Sequence, residues 1–184
     1  AGMPDDLKYL AVAESALITH SLSNKGARGP WQFMVLAARS NGLRRNGAID
    51  ERLNFERSTD AAIRNLKRLY EKFDSWALAM AAYNGGEPRL RKAIEEQGTT
   101  DYYRLNLPVE TERYLFRIAA IKIIMENPAR YGYVLAKEDI YRPIRPDAIR
   151  RASMACRTRN VRVADRIREV DSNGVTMAFH TVQV

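Results

Sequence analysis

Of the side chains able to do acid–base chemistry, Glu14 has the least ordinary surroundings. Leu7, Leu10, Ala11, Ala13, Leu17 and Ile18 recur around it at helical spacing, which predicts a largely apolar helix carrying a carboxyl group. Desolvating a carboxylate is costly, and the usual outcome is a raised pKa. A carboxyl group that keeps its proton near neutral pH is what general-acid catalysis requires. A plainer alternative places Glu14 on the solvent edge of the helix with no role. The next stretch of chain argues against that alternative. Gly26, Gly29 and Pro30 break the helix and let an irregular loop approach a ligand or another backbone closely. Gln32, with both donor and acceptor atoms, then stands between Trp31 and Phe33. Such mixtures bind sugars, flat apolar faces meeting ring C–H groups and amides meeting hydroxyl and acetamido groups.

The elements that must position these groups can be read from the patterning. A helix is predicted from near Trp31 to a stop at Asn41-Gly42. The charges of Asp50-Glu51-Arg52 sit in a loop, where they read as a local ion-pair and capping cluster. Ser58-Thr59-Asp60 opens a helix with Ala62, Ile63, Leu66, Leu69, Tyr70 and Phe73 on one face. Asp74-Ser75 caps the next, Trp76 to Asn84, which is small and apolar all round and therefore central and buried. It stops at Tyr83-Asn84-Gly85-Gly86, so two hydrogen-bonding side chains emerge where the helix ends. Pro88 to Gln97 forms a short amphipathic helix. A long one then runs from Val109 to Asn127, with Leu115, Ile118, Ala119 and Met125 on its core face and Lys122 at the edge. Pro108 suits the first turn of that helix, and Glu110 and Glu112 suit its dipole.

Taken together, Glu14-Ser15, then Ser23-x-x-Gly26-Ala27-x-Gly29-x-Trp31-Gln32-Phe33-Met34, resembles the signature of the soluble and membrane-bound lytic transglycosylases, closest to their D-type branch. Ala82-Tyr83-Asn84-Gly85-Gly86 matches the family's Ala-Tyr-Asn-x-Gly, and Leu107-Pro108-x-Glu110-Thr111-x-x-Tyr114 matches its Leu-Pro-x-Glu-Thr-x-x-Tyr. The motifs keep the family's order across residues 3–133. Val35 and Ala37 depart from the usual Pro and Thr, and Pro30 replaces an apolar residue, which affects loop shape more than chemistry. The segment that precedes Gly2 in relatives is not in this sequence, so part of the groove wall is expected to be missing.

The resemblance implies a mainly α, lysozyme-like helical catalytic domain over residues 1–133. It implies cleavage of the β-1,4 bond between N-acetylmuramic acid and N-acetylglucosamine without water, leaving 1,6-anhydromuramoyl ends. Glu14 acts as acid and then base. Ser15, Ser23, Gln32, Met34, Tyr83, Asn84, Glu110 and Tyr114 line the groove, and neither metal nor cofactor takes part. Peptidoglycan glycan strands are the implied partner, in the periplasm or cell envelope after export. Two other readings stay open: a lysozyme-type hydrolytic muramidase using Glu110 or another acid to activate water, and a glycan-binding module without turnover.

At 184 residues with 46% hydrophobic and 28% charged side chains, the chain is an ordinary globular one with a core of its own. No apolar run approaches the ~20 residues of a membrane span. Ala1-Gly2-Met3-Pro4 is no signal peptide, so an export signal is expected to lie outside this sequence. Cys156 is the single cysteine and cannot form an internal disulfide. The net charge of +8 draws polyanions. No zinc spacing, phosphate loop or aromatic RNA-binding signature accompanies it, so nucleic acid is not the expected partner. Residues 134–184 form a basic appendage. Pro143 and Pro146 punctuate a linker, arginines crowd the region after it, and Val163, Ala164, Ile167 and Val170 suggest a short helix. Asp171-Ser172-Asn173-Gly174 predicts a β-hairpin turn ahead of an alternating strand containing His180, a surface residue. The appendage is expected to pack on the catalytic domain or to hold an anionic wall polymer or membrane surface.

Overall fold

A computed structural model describes residues 2–136, and the chain divides into the compact units Ala1–Asn127 and Pro128–Val184. The first unit is helical: α1 (Lys8–Ser15), α2 (Val35–Ser40), α3 (Phe55–Phe73), α4 (Trp76–Gly85), α5 (Glu87–Gln97), α6 (Val109–Glu112) and α7 (Tyr114–Glu126). β pairing among the described residues is confined to isolated bridges between Leu22 and Arg28, Arg28 and Phe33, and Arg45 and Asp50. In the second unit, Pro128–Tyr131 makes a 3-10 turn. The Pro143–Pro146 linker, Cys156, the short helix, the hairpin and His180 lie outside the described residues.

The central position of α4 comes from its composition. Leu78, Ala79, Ala81 and Ala82 are all buried, and small side chains let α3, α5, α6 and α7 approach from several sides. On one side of it, Tyr9, Leu10, Trp31, Phe33, Leu66, Tyr114 and Ile118 form a core; on the other, Leu69, Leu78, Leu90, Tyr102, Leu105 and Leu107 form a second. Tyr83 packs against both. Ser75 caps α4 by accepting the Leu78 N–H at 3.4 Å, as the sequence predicts.

Several boundaries differ from the sequence expectation, each for a local reason. The first helix ends at Ser15, before Leu17 and Ile18, because Ala16 and Leu17 both take left-handed backbone conformations (φ 50° and 63°). Trp31 does not open a helix. Arg28 and Phe33 exchange both backbone hydrogen bonds at 3.1 Å, which folds Arg28–Phe33 into a small hairpin, and α2 begins only at Val35. Asn54, not Ser58, caps α3: its Oδ1 accepts the Arg57 N–H at 2.9 Å, and Ser58 is buried one turn in.

The long final helix is interrupted at Arg113. There the buried Tyr102 hydroxyl lies 2.7 Å from the Thr111 carbonyl and 2.8 Å from that of Glu112, and accepts the Leu115 N–H. A hydroxyl inserted between Thr111 and Leu115 replaces one rung of the ladder and separates α6 from α7. The buried face of α7 runs through Tyr114 and Ile118, with Leu115 and Ile121 beside them. Ala119 and Met125, expected in the core, are exposed.

Candidate active site

The site gathers where α1 stops. Because the chain turns left-handed at Ala16, the last turn of α1 faces the Arg28–Phe33 hairpin instead of continuing past it. Ser15 Oγ donates to the Pro30 carbonyl at 2.8 Å, tying the end of α1 to the hairpin tip. One residue earlier, Glu14 is largely enclosed. Burial pushes its carboxyl group up to about 7, opposed by a hydrogen bond from Tyr114 and by the nearby Arg117 guanidinium, and helped by the negative charge of Glu110. The donor to Glu14 Oε1 is the Tyr114 hydroxyl, at the start of α7, whose side chain is only 1% exposed. Burial and the neighbouring Glu14 charge raise both the Tyr114 and the Tyr83 phenol well above the ordinary range, so both stay protonated donors.

Tyr83 spends its hydroxyl proton on the Trp31 carbonyl at 2.8 Å, and its ring meets Phe33 edge-on at 6.1 Å. It therefore joins the end of α4 to the hairpin. Asn84 Oδ1 accepts the Thr111 hydroxyl at 3.0 Å, linking α4 to α6. Gly85 permits this approach: a Cβ there would lie 2.8 Å from Thr111 Oγ1. Gln32 has φ 47°, and its Nε2 donates to the Gly29 carbonyl at 2.8 Å, with the Ser21 carbonyl at 3.4 Å. Its Oε1 makes no hydrogen bond within the described residues. Met34, which precedes α2, is 47% exposed.

The remaining residues singled out from sequence make contacts of their own. Ser23 shapes the loop, its Oγ accepting the Ala27 N–H at 3.0 Å. Glu110 is exposed and 3.8 Å from Lys25 Nζ, an ion pair that reaches from α6 to the loop before the hairpin. Glu112 instead caps its own helix, accepting the Leu107 N–H at 3.0 Å. Trp31 is not a sugar platform: it is buried, with its indole N–H on Thr59 Oγ1 at 2.8 Å.

Sequence reasoning passed over Arg117 and over Thr111 as a partner of Asn84, and it read Arg52 only as part of a local ion-pair cluster. Arg117 was discoverable, since Tyr114 and Arg117 are three residues apart on one helix face. Arg52 offered no periodic signal, being in a loop. Among the described residues, no group of three or more His, Cys, Asp or Glu side chains lies together as metal ligands would. No described helix is long and apolar enough to cross a membrane.

The chain is similar to known proteins. It is 36% identical over 168 residues to the membrane-bound lytic murein transglycosylase D of Escherichia coli K12, an alignment covering 89% of this chain and 36% of that protein. It is 41% identical over 88 residues to the peptidoglycan transglycosylase gp16 of Escherichia phage T7, covering 47% of this chain and 7% of that one. The chain thus spans about a third of the length of the first of these relatives. The model of the Transglycosylase SLT domain matches residues 1–106, which include Glu14, the hairpin and the Tyr83-Asn84 helix end, and the chain belongs to that family.

Proposed function

We propose that this chain is a peptidoglycan lytic transglycosylase acting in the bacterial cell envelope, with Glu14 as its single acid–base group. The observation that carries the reading is the enclosed Glu14 carboxyl group, pushed up to about 7 and hydrogen-bonded by a buried tyrosine. The names of the relatives support the reaction and the substrate class.

In the first step, protonated Glu14 gives its proton to the glycosidic oxygen between N-acetylmuramic acid and N-acetylglucosamine as the bond to C1 breaks. The resulting carboxylate takes the proton of the muramoyl C6 hydroxyl, whose oxygen closes on C1 of the same sugar. No water is consumed and Glu14 ends protonated. An internal nucleophile held near the reacting carbon has a high effective molarity and needs no second protein base. Tyr114 steadies the carboxylate formed between the steps and fixes its orientation. Gln32 offers its free Oε1 to a donor such as an acetamido N–H, while Met34 supplies exposed apolar surface to a sugar ring. Ser15, Ser23, Tyr83 and Asn84 hold the walls through their contacts with the hairpin, its loop and α6. Glu110 helps keep the proton on Glu14.

The test is Glu14→Gln, which keeps the shape and loses the titrating proton. The expected result is loss of peptidoglycan solubilisation by at least about a thousandfold with strand binding retained. Solubilisation that persists in Glu14→Gln would refute the assignment.

A further inference from the structure

Arg52 is 2% exposed, carries a full charge, and has no place in the glycosidic chemistry. Isolated, a buried guanidinium would be strongly destabilising, so its partners define its purpose. Its Nε and Nη2 donate to Asp50 Oδ1 and Oδ2 at 2.8 and 2.6 Å, a two-point pairing that neutralises the charge. Its Nη1 turns the other way and donates to the Gly26 and Phe33 carbonyls, both at 3.1 Å. Those carbonyls belong to the turn that leads into the Arg28–Phe33 hairpin and to the far end of that hairpin, which carries Gln32. The Arg52 main chain closes the remaining side: a Cβ on Gly29 would lie 1.8 Å from the Arg52 carbonyl oxygen.

Within this clasp, Gln32 holds φ 47°, a left-handed conformation that a side-chain-bearing residue adopts at an energetic cost. Such a conformation persists only where surrounding contacts over-determine it. Here those contacts are the Arg28–Phe33 exchange, the Gln32 amide on Gly29, and the Arg52 fork. We infer that Arg52, oriented by Asp50, is a positioning residue for the sugar groove: it pins the far end of the Arg28–Phe33 hairpin to the turn that leads into it, and so keeps Gln32 in its binding conformation. The inference rests on the proposed role of Gln32 in the groove. Lysine cannot replace the fork, because one ammonium group cannot reach two carbonyls and both oxygens of a carboxylate in this planar arrangement.

The experiment uses the full chain in a Glu14→Gln background, so that binding is read without turnover. Arg52→Lys is compared with its parent by amide hydrogen exchange at Arg28 and Phe33 and by affinity for a soluble peptidoglycan hexasaccharide. Exchange at both amides is expected to speed up by about tenfold or more, and affinity to fall roughly tenfold, because the two carbonyl bonds are lost together. Adding Gln32→Ala to Arg52→Lys is expected to cost little more, since the two act through one contact. Should Arg52→Lys not fold, Asp50→Asn leaves the arginine in place with a weaker partner and is expected to shift both readouts in the same direction. Unchanged affinity in the folded variant, or losses that simply add, would overturn the inference. If Gln32→Ala alone leaves affinity intact, the groove assignment falls and takes this one with it. If Gln32→Ala weakens binding and Arg52→Lys does not, only the role of Arg52 falls.

Discussion

A carboxyl group that titrates near 7 ties activity and stability to pH in ways that can be measured separately. In the proposed mechanism Glu14 is protonated at the start of the reaction, so kcat/KM is expected to be level below about pH 7 and to fall tenfold per pH unit above it. Tyr114→Phe removes the hydrogen bond that opposes the upward shift, so Glu14 should titrate higher and that falling limb should move to more alkaline pH. Stability depends on the same proton. The folded state holds it between the ordinary carboxylic range and about 7 whereas the unfolded state does not, so stability falls as pH rises through that window. Glu14→Gln is therefore expected to stabilise the chain at pH 8 by on the order of 2 kcal/mol while leaving stability at pH 4 nearly unchanged, as urea unfolding at the two pH values would show.

At the scale of elements, the site depends on interruptions as much as on helices. Ala16 and Leu17 stop α1 so that Glu14 lies beside the hairpin, and Tyr102 divides α6 from α7 just before Tyr114. Neither break was legible in the sequence, because alanine and leucine are good helix formers and a distant tyrosine leaves no local mark. The helices themselves were legible from the apolar stripe of α3, the small-residue run of α4 and the glycines after it. Gln32 and Glu14 could be singled out, but the clasp that fixes the hairpin could not, because Arg52 and Asp50 obey no period. Gly29 tests how tightly this part is built. With φ 82° and the Arg52 carbonyl where a Cβ would go, Gly29→Ala is expected to destabilise the chain by about 2–4 kcal/mol in urea unfolding. Gly47→Ala, with open space around it, is the control, expected within about 0.5 kcal/mol of the parent.

For the whole molecule, the proposed function gives the charge of +8 a part in the encounter with cell walls more than in bond cleavage. Retention on insoluble walls carrying anionic polymers is expected to drop as salt rises from about 0.05 to roughly 0.5 M, while turnover of a soluble uncharged glycan should barely change. The central claim concerns one proton donor and a nucleophile supplied by the sugar itself, and the mass of the product ends tests it most directly. Mass spectrometry of peptidoglycan digested by the wild-type chain should find 1,6-anhydromuramoyl ends, and Glu14→Gln should yield none. Reducing ends about 18 Da heavier, the mass of an added water, would contradict the account and make the chain a hydrolase.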